Sequence, residues 1–172
     1  MVKRIFPRLI LLLLLLMGIT GISKAQDEKF KAIFVYNFTK YINWPLYQGN
    51  FIICVIGNSP IIGEIEGIAS KKTVGNSAIE IVKVNSADEI AKCHIVYVTA
   101  SKSSLVAQLF QKAKESNILV ISEKQNACAS GAGINFVSNN GKLIFEISKS
   151  NIESCGLKVS TDLLKLGTSV NN

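Results

Sequence analysis

Residues 93–122, CHIVYVTASKSSLVAQLFQKAKESNILVIS, contain two apolar runs separated by an amphipathic segment. The runs at 95–98 and 118–121 are short and mostly β-branched, which is typical of strands buried on both faces. Between them, apolar residues recur every three or four positions over 102–115, as they do on one face of a helix. The stretch therefore predicts a strand, a crossover helix and a parallel strand.

The same pattern extends in both directions from this stretch. Upstream, helices are predicted at 27–42, which Trp44-Pro45 ends, and at 59–70, and strands at 51–57 and 78–84. Downstream, apolar runs at 134–137 and 142–147 flank an Asn-Gly turn and predict a hairpin. We expect an α/β fold with a mainly parallel sheet and helices on both faces, a Rossmann-like three-layer sandwich, plus a C-terminal β-hairpin.

Residues 1–25 have the features of a signal peptide. Lys3 and Arg4 precede an apolar run at 9–17, and Ser23 and Ala25 fit the small-residue positions before a cleavage site. The run is too short for a membrane span of about 20 apolar residues. We expect export, cleavage after Ala25 and a single mature domain over 26–172.

Removal of residues 1–25 leaves 15 basic and 12 acidic residues, a formal net charge of +3. The remaining lysines are scattered along the chain. A nucleic-acid-binding protein needs a clustered basic face, so no nucleic acid is expected as a partner.

The chain contains four cysteines, Cys54, Cys93, Cys128 and Cys155. An even number in an exported chain predicts disulfides, with three pairings open from the sequence. None of the spacings is typical of zinc sites, so no metal is expected.

The sequence contains no convincing catalytic motif. The loop after the first apolar strand, Gly57-Asn58-Ser59-Pro60, lacks the glycine spacing that binds phosphate. The adjacent pair Cys93 and His94 would point to opposite faces of a strand, so they cannot act together as nucleophile and base. We therefore expect a protein that is not an enzyme and needs no cofactor.

Three residues have two interpretations each. Glu146, between Phe145 and Ile147, is either the solvent-facing residue of an alternating strand or a partly buried carboxylate that binds a basic group of a partner. Tyr41 and Trp44 either complete the core or anchor an interface.

Several segments together resemble the YfiR-like family of periplasmic regulators over nearly all of the mature sequence. These segments, in order, are Lys31-Ala32, Tyr36-Asn37-Phe38-Thr39-Lys40-Tyr41, Trp44-Pro45, FIICVIG at 51–57, Cys93-His94, GAGINF at 131–136, Phe145-Glu146-Ile147, GLKVS at 156–160 and Leu163-Leu164.

The resemblance implies a periplasmic, non-enzymatic regulator that restrains an inner-membrane diguanylate cyclase and so lowers cyclic di-GMP output. A sensor kinase is an alternative partner, an outer-membrane lipoprotein is a further one, and a homodimer is expected. The resemblance also implies two disulfides, Cys54 with Cys93 and Cys128 with Cys155. For partner contact it indicates Gly131, Gly133, Asn135 and Glu146, supported by Tyr41 and Trp44.

A small-molecule sensor module that acts with a separate receptor is the alternative function. An α/β sheet offers a crevice at its strand ends where a ligand can bind. The sequence names neither a ligand nor the cognate partner.

Overall fold

The computed structural model describes the backbone of residues 19–170 and the side chains of 25–170. The expected signal peptide lies mostly outside the described residues, and its cleavage point after Ala25 falls within the first helix. No helix in the described part of the chain is both long and apolar enough to cross a membrane.

The sequence-predicted helices and strands are present, and four two-residue strands are added to them. The elements in chain order are α1 (Ile19–Tyr41), β1 (Ile42–Asn43), β2 (Phe51–Ile56), α2 (Ile61–Ala69), β3 (Thr73–Val74), β4 (Ser77–Val84), β5 (Ile95–Val98), α3 (Val106–Ser116), β6 (Leu119–Ser122), β7 (Ile134–Asn139), β8 (Lys142–Ile147), α4 (Lys149–Ser154), β9 (Lys158–Val159), α5 (Thr161–Leu166) and β10 (Thr168–Ser169). Short 3₁₀ helices cover Ala87–Glu89, Ala100–Leu105 and Cys128–Ser130.

Eight strands form one sheet in the order β10-β8-β7-β6-β5-β2-β4-β3, and β1 pairs with β9 separately. The central pairs β4–β2, β2–β5, β5–β6 and β6–β7 are parallel. The pairs β7–β8 and β3–β4 are antiparallel. The α/β class is confirmed, but the sheet is mixed, so the expectation of a mainly parallel sheet is wrong.

The physical reason for the mixed sheet is that the hairpin is part of it. Strand β7 pairs in parallel with β6, and the two-residue turn at Asn140 and Gly141 then reverses the chain into β8. Both turn residues have positive φ angles, 51° and 74°, as a tight hairpin turn requires. The three-layer arrangement stays a prediction.

Aromatic packing holds α1 against this hairpin. The rings of Phe34 and Phe38 each lie 5.2 Å from the ring of Phe145. Phe38 also packs 6.0 Å from Phe136 on the neighbouring strand. Phe38, Phe136 and Phe145 are at most 5% exposed, so the amphipathic face read from the sequence is buried on β7 and β8.

One of the two expected disulfides is present. Cys54 on β2 is bonded to Cys93, immediately before the neighbouring strand β5, with Cα atoms 5.8 Å apart. Cys128 and Cys155 do not form the second disulfide and are buried thiols. Burial and the charge of Glu146 raise the pKa of Cys128 to about 12, and burial raises that of Cys155 to about 11.

The expected pairing of Cys128 with Cys155 is not observed. Cys128 interacts with the backbone of Ser148, which caps the start of α4, whereas Cys155 follows its end.

We predict that the Cys54–Cys93 bond contributes about 4 kcal/mol to the free energy of unfolding, because it closes a loop over a sequence separation of 39. Urea unfolding of the Cys54→Ala/Cys93→Ala variant measures this loss. The matched control is Cys155→Ala, in which no disulfide is removed. A loss below about 1 kcal/mol in the double variant would contradict the prediction.

Candidate functional site

A buried charge network joins the middle of α1 to the sheet. The Nζ atom of Lys31 lies 2.7 Å from Oε2 of Glu123 and 2.8 Å from Oε1 of Glu28. The side chains of Lys31 and Glu123 are only 13% and 10% exposed. Glu123 also accepts hydrogen bonds from the Tyr97 hydroxyl at 2.8 Å and the Ala100 N–H at 3.0 Å. The Glu123 carboxylate therefore connects α1, strand β5 and the 3₁₀ helix that begins at Ala100.

This network changes the acidity of its members. Burial alone would lower the pKa of Lys31, but hydrogen bonds and ion pairs with Glu123 and Glu28 outweigh it and raise the pKa above its usual 10.5. Burial and the charge of Glu123 raise the pKa of Tyr97 far above its normal value. Lys31 is therefore cationic and Tyr97 is protonated at neutral pH.

The network lies where ligands bind in open α/β sheets. Strand β2 has β4 on one side and β5 on the other, so the chain changes direction across the sheet between β2 and β5. Such a reversal leaves a crevice outside the carboxyl ends of the strands. Two cavities of about 410 and 540 Å³ border Lys31 and Glu123 there.

A second polar group crosses the sheet at the hairpin. Ser122, Asn135, Glu146 and Thr168 are register partners on β6, β7, β8 and β10. The Nδ2 atom of Asn135 donates a hydrogen bond of 2.9 Å to Oε2 of Glu146. The side-chain amide oxygen of Asn135 and the hydroxyl of Ser122 are buried and have no hydrogen-bond partner among the described residues. An unsatisfied buried polar group lowers the free energy of unfolding by about 1–3 kcal/mol. These two oxygens therefore destabilise the fold.

The structure brings together some of the residues indicated for partner contact. Asn135 and Glu146 are paired, but Gly131, Gly133 and Asn135 are buried, and only Glu146 is partly exposed. A Cβ atom on Gly131, which has a φ of 114°, would overlap the ring of Phe110. These two glycines are therefore required by packing, and Glu146 is the one of these four residues that is accessible to solvent.

Trp44 belongs to a different cluster, around His94. Its Nε1–H donates a hydrogen bond of 3.1 Å to the His94 carbonyl oxygen, and its ring meets Phe51 edge-on at 5.1 Å. The Ile52 N–H donates to Nδ1 of His94 at 3.0 Å, and burial lowers the histidine's pKa. His94 is thus a neutral packing residue next to the Cys54–Cys93 disulfide.

Tyr41 lies in neither polar group. It ends α1, and its carbonyl oxygen accepts a hydrogen bond of 2.8 Å from the N–H of Ser160. Its side chain is partly buried and packs against the core. The core interpretation of Tyr41 is therefore observed, while an interface role for Tyr41 or Trp44 stays a prediction.

Sequence reasoning missed Lys31 and Glu123 as a pair. They are 92 positions apart, and although Lys31 belongs to one of the segments that carry the family resemblance, no local pattern links it to Glu123. The available signal was the position of Glu123 immediately after a buried strand, where the carboxyl ends of parallel strands gather.

The fold is α/β, and the polar side chains of these two groups mostly bond to one another. The sequence matches the family model described as YfiR/HmsC-like over residues 28–168, and the chain belongs to that family. The members of this family are periplasmic regulatory proteins. No curated protein sequence matches the chain.

Two solved structures have similar folds. A conserved domain protein from Vibrio cholerae O1 biovar El Tor str. N16961 has a TM-score of 0.59 at 13% identity, with 84% of this chain and 60% of that chain covered. The ABC domain in complex with L-Trp from Streptococcus pneumonia has a TM-score of 0.50 at 13% identity, with 70% and 55% covered. The chain thus spans less than two thirds of either structure, and at this identity the likeness concerns the fold alone.

We predict that Lys31→Met lowers the free energy of unfolding by about 3 kcal/mol at pH 7, because it leaves the buried Glu123 carboxylate without its cation. The Lys31→Met/Glu123→Gln double variant should recover part of this loss, since it removes both charges. Chemical denaturation measures the differences. The exposed Lys29→Met is the control, with an expected change within about 0.5 kcal/mol, and an equal effect at both lysines would contradict a buried ion pair.

Proposed function

We propose that this protein is an exported regulator that binds a membrane signalling partner and restrains a diguanylate cyclase. Membership of a family of periplasmic regulatory proteins supports this role. The basic and apolar residues before Ala25 support export.

The observation that carries the proposal is the Asn135–Glu146 pair. Glu146 is held from one side by the Asn135 amide and is partly open to solvent on β8. A carboxylate fixed in this way is suited to a charge-assisted hydrogen bond with an arginine or lysine of a partner. The buried Asn135 below it fixes the position of the carboxylate before binding, which lowers the cost of ordering.

The short strand β10 places Glu146 near an edge of the sheet. Thr168 of β10 is the register partner of Glu146 and is exposed. Because β10 has only two residues, most of β8 has no further strand beside it. Strand β10 covers Glu146 and Ile147, so the open edge of β8 lies at residues 142–145, next to Glu146, where a partner that binds Glu146 could also meet it.

We predict that Glu146→Gln weakens binding to the periplasmic part of the cognate cyclase at least tenfold, because the glutamine keeps the size of the side chain but loses its charge. The partner is first recovered from envelope membranes with the mature oxidised protein, and affinity is then measured by biolayer interferometry. Glu153→Gln on α4, an exposed glutamate in a surface ion pair, is the matched control.

Two results would count against this account. Unchanged affinity of Glu146→Gln would exclude Glu146 from the interface. Recovery of no membrane protein from the envelope would overturn the regulatory role itself.

A small-molecule sensor that acts with a separate receptor is a second candidate, which the two cavities beside Lys31 favour. Such a sensor should show a higher melting temperature with a ligand from a panel of amino acids, nucleotides and sugars. Gln125→Trp, at the wall of the smaller cavity, should abolish this shift. The neighbouring exposed Lys124→Trp is the control, and a panel without any shift would remove the candidate.

A further inference from the structure

A groove of about 490 Å³ runs between α1 and α2. Its floor is formed by Ile33 and Tyr36 of α1 and by Gly67 and Ile68 of α2. The groove borders α2, which packs on β4. Strands β4 and β8 lie toward opposite edges of the sheet, so this surface is separate from Glu146.

The groove and the adjoining turn of α1 expose apolar surface. Ile33 is 38% exposed, and Phe30, one turn earlier on α1, is 45% exposed. They are two of the four large hydrophobic residues that the described part of the chain leaves exposed. Exposed apolar residues in and beside a concavity are typical of an interaction site.

Gly67 keeps the groove open. A Cβ atom at this position would have no heavy atom within 4 Å, so packing within the protein does not require glycine there. Glycine also disfavours the interior of a helix relative to alanine. Its effect on the surface is to expose the α2 backbone, which allows another helix to approach closely.

The rim of the groove is positively charged. Lys29, Lys71 and Lys72 border it, against the single carboxylate of Glu64. Lys40 adds a further positive charge, with its Nζ atom 4.7 Å from the centre of the Tyr36 ring. A second copy of the chain would set lysines against lysines, whereas an acidic occupant would be attracted to the rim.

We propose that the groove between α1 and α2 is a docking site for an amphipathic helix of a partner protein, with an apolar face on Ile33 and Ile68 and acidic flanks beside Lys71 and Lys72. An amphipathic helix that buries its apolar face in a groove is a common mode of peptide recognition. The concave shape favours one helix over a flat lipid surface. This docking is independent of the partner contact proposed at Glu146.

Binding of a fluorescent 18-residue peptide, with a leucine face and glutamate flanks, to the mature oxidised protein tests the proposal by fluorescence anisotropy. We expect saturable binding that weakens with added salt. A peptide with lysine in place of every glutamate should bind at least tenfold more weakly. Glu146→Gln should bind the acidic peptide as the wild type does, which separates this site from the proposed function.

Two variants test the position of the site. Lys71→Glu/Lys72→Glu should weaken binding at least tenfold, while Lys92→Glu/Lys124→Glu, an equal change of charge at exposed lysines outside the groove, should not. Gly67→Gln should weaken binding at least fivefold without lowering the melting temperature, because the space above Gly67 is open. Absence of saturable binding, equal binding of both peptides, or preference for anionic vesicles over the peptide would overturn the proposal.

Discussion

The ion pair between Lys31 and Glu123 fixes helix α1 against the carboxyl ends of the central strands. Once α1 is held there, Phe34 and Phe38 meet the hairpin ring of Phe145. The opposite side of the same helix is left to form a groove with α2. A buried charge pair adds little to the free energy of unfolding compared with apolar residues of similar size. It does, however, favour one packing arrangement over alternatives. Much of the arrangement around α1 follows from this contact.

The polar groups of the molecule differ in how fully they are satisfied. Around Glu123, each carboxylate oxygen has at least one donor, so that network is closed and structural. Along the row from Ser122 to Glu146, two buried oxygens have no hydrogen-bond partner within the described residues. Unsatisfied buried groups are more often retained for function than for stability. This difference supports the proposal that a partner binds at the hairpin.

Much of the secondary structure was predictable because the apolar periods are clear. The runs at 51–57 and 118–122 became strands in the sheet, and the 102–115 period became a helix. The two-residue strands were missed because so short a pairing, such as Ile42 with Val159, exists only when distant segments are already in place. The Cys128–Cys155 pairing that the resemblance implied is not observed, and the sequence gives no measure of the distance between the two sulfurs.

The sequence by itself determined the α/β class, the hairpin turn at Asn140-Gly141, the amphipathic face of α1 and the family resemblance, because these depend on local periods, turn chemistry and motif order. Only the tertiary structure decided the mixed sheet, the contact of Lys31 with Glu123, the burial of Gly131 and Asn135, and the groove beside Gly67. These features depend on which distant segments meet, and neither spacing nor composition encodes that directly. Glu146 illustrates both contributions. The sequence singled it out as an acidic residue between Phe145 and Ile147, and the fold places the Asn135 amide where it donates a hydrogen bond to the carboxylate.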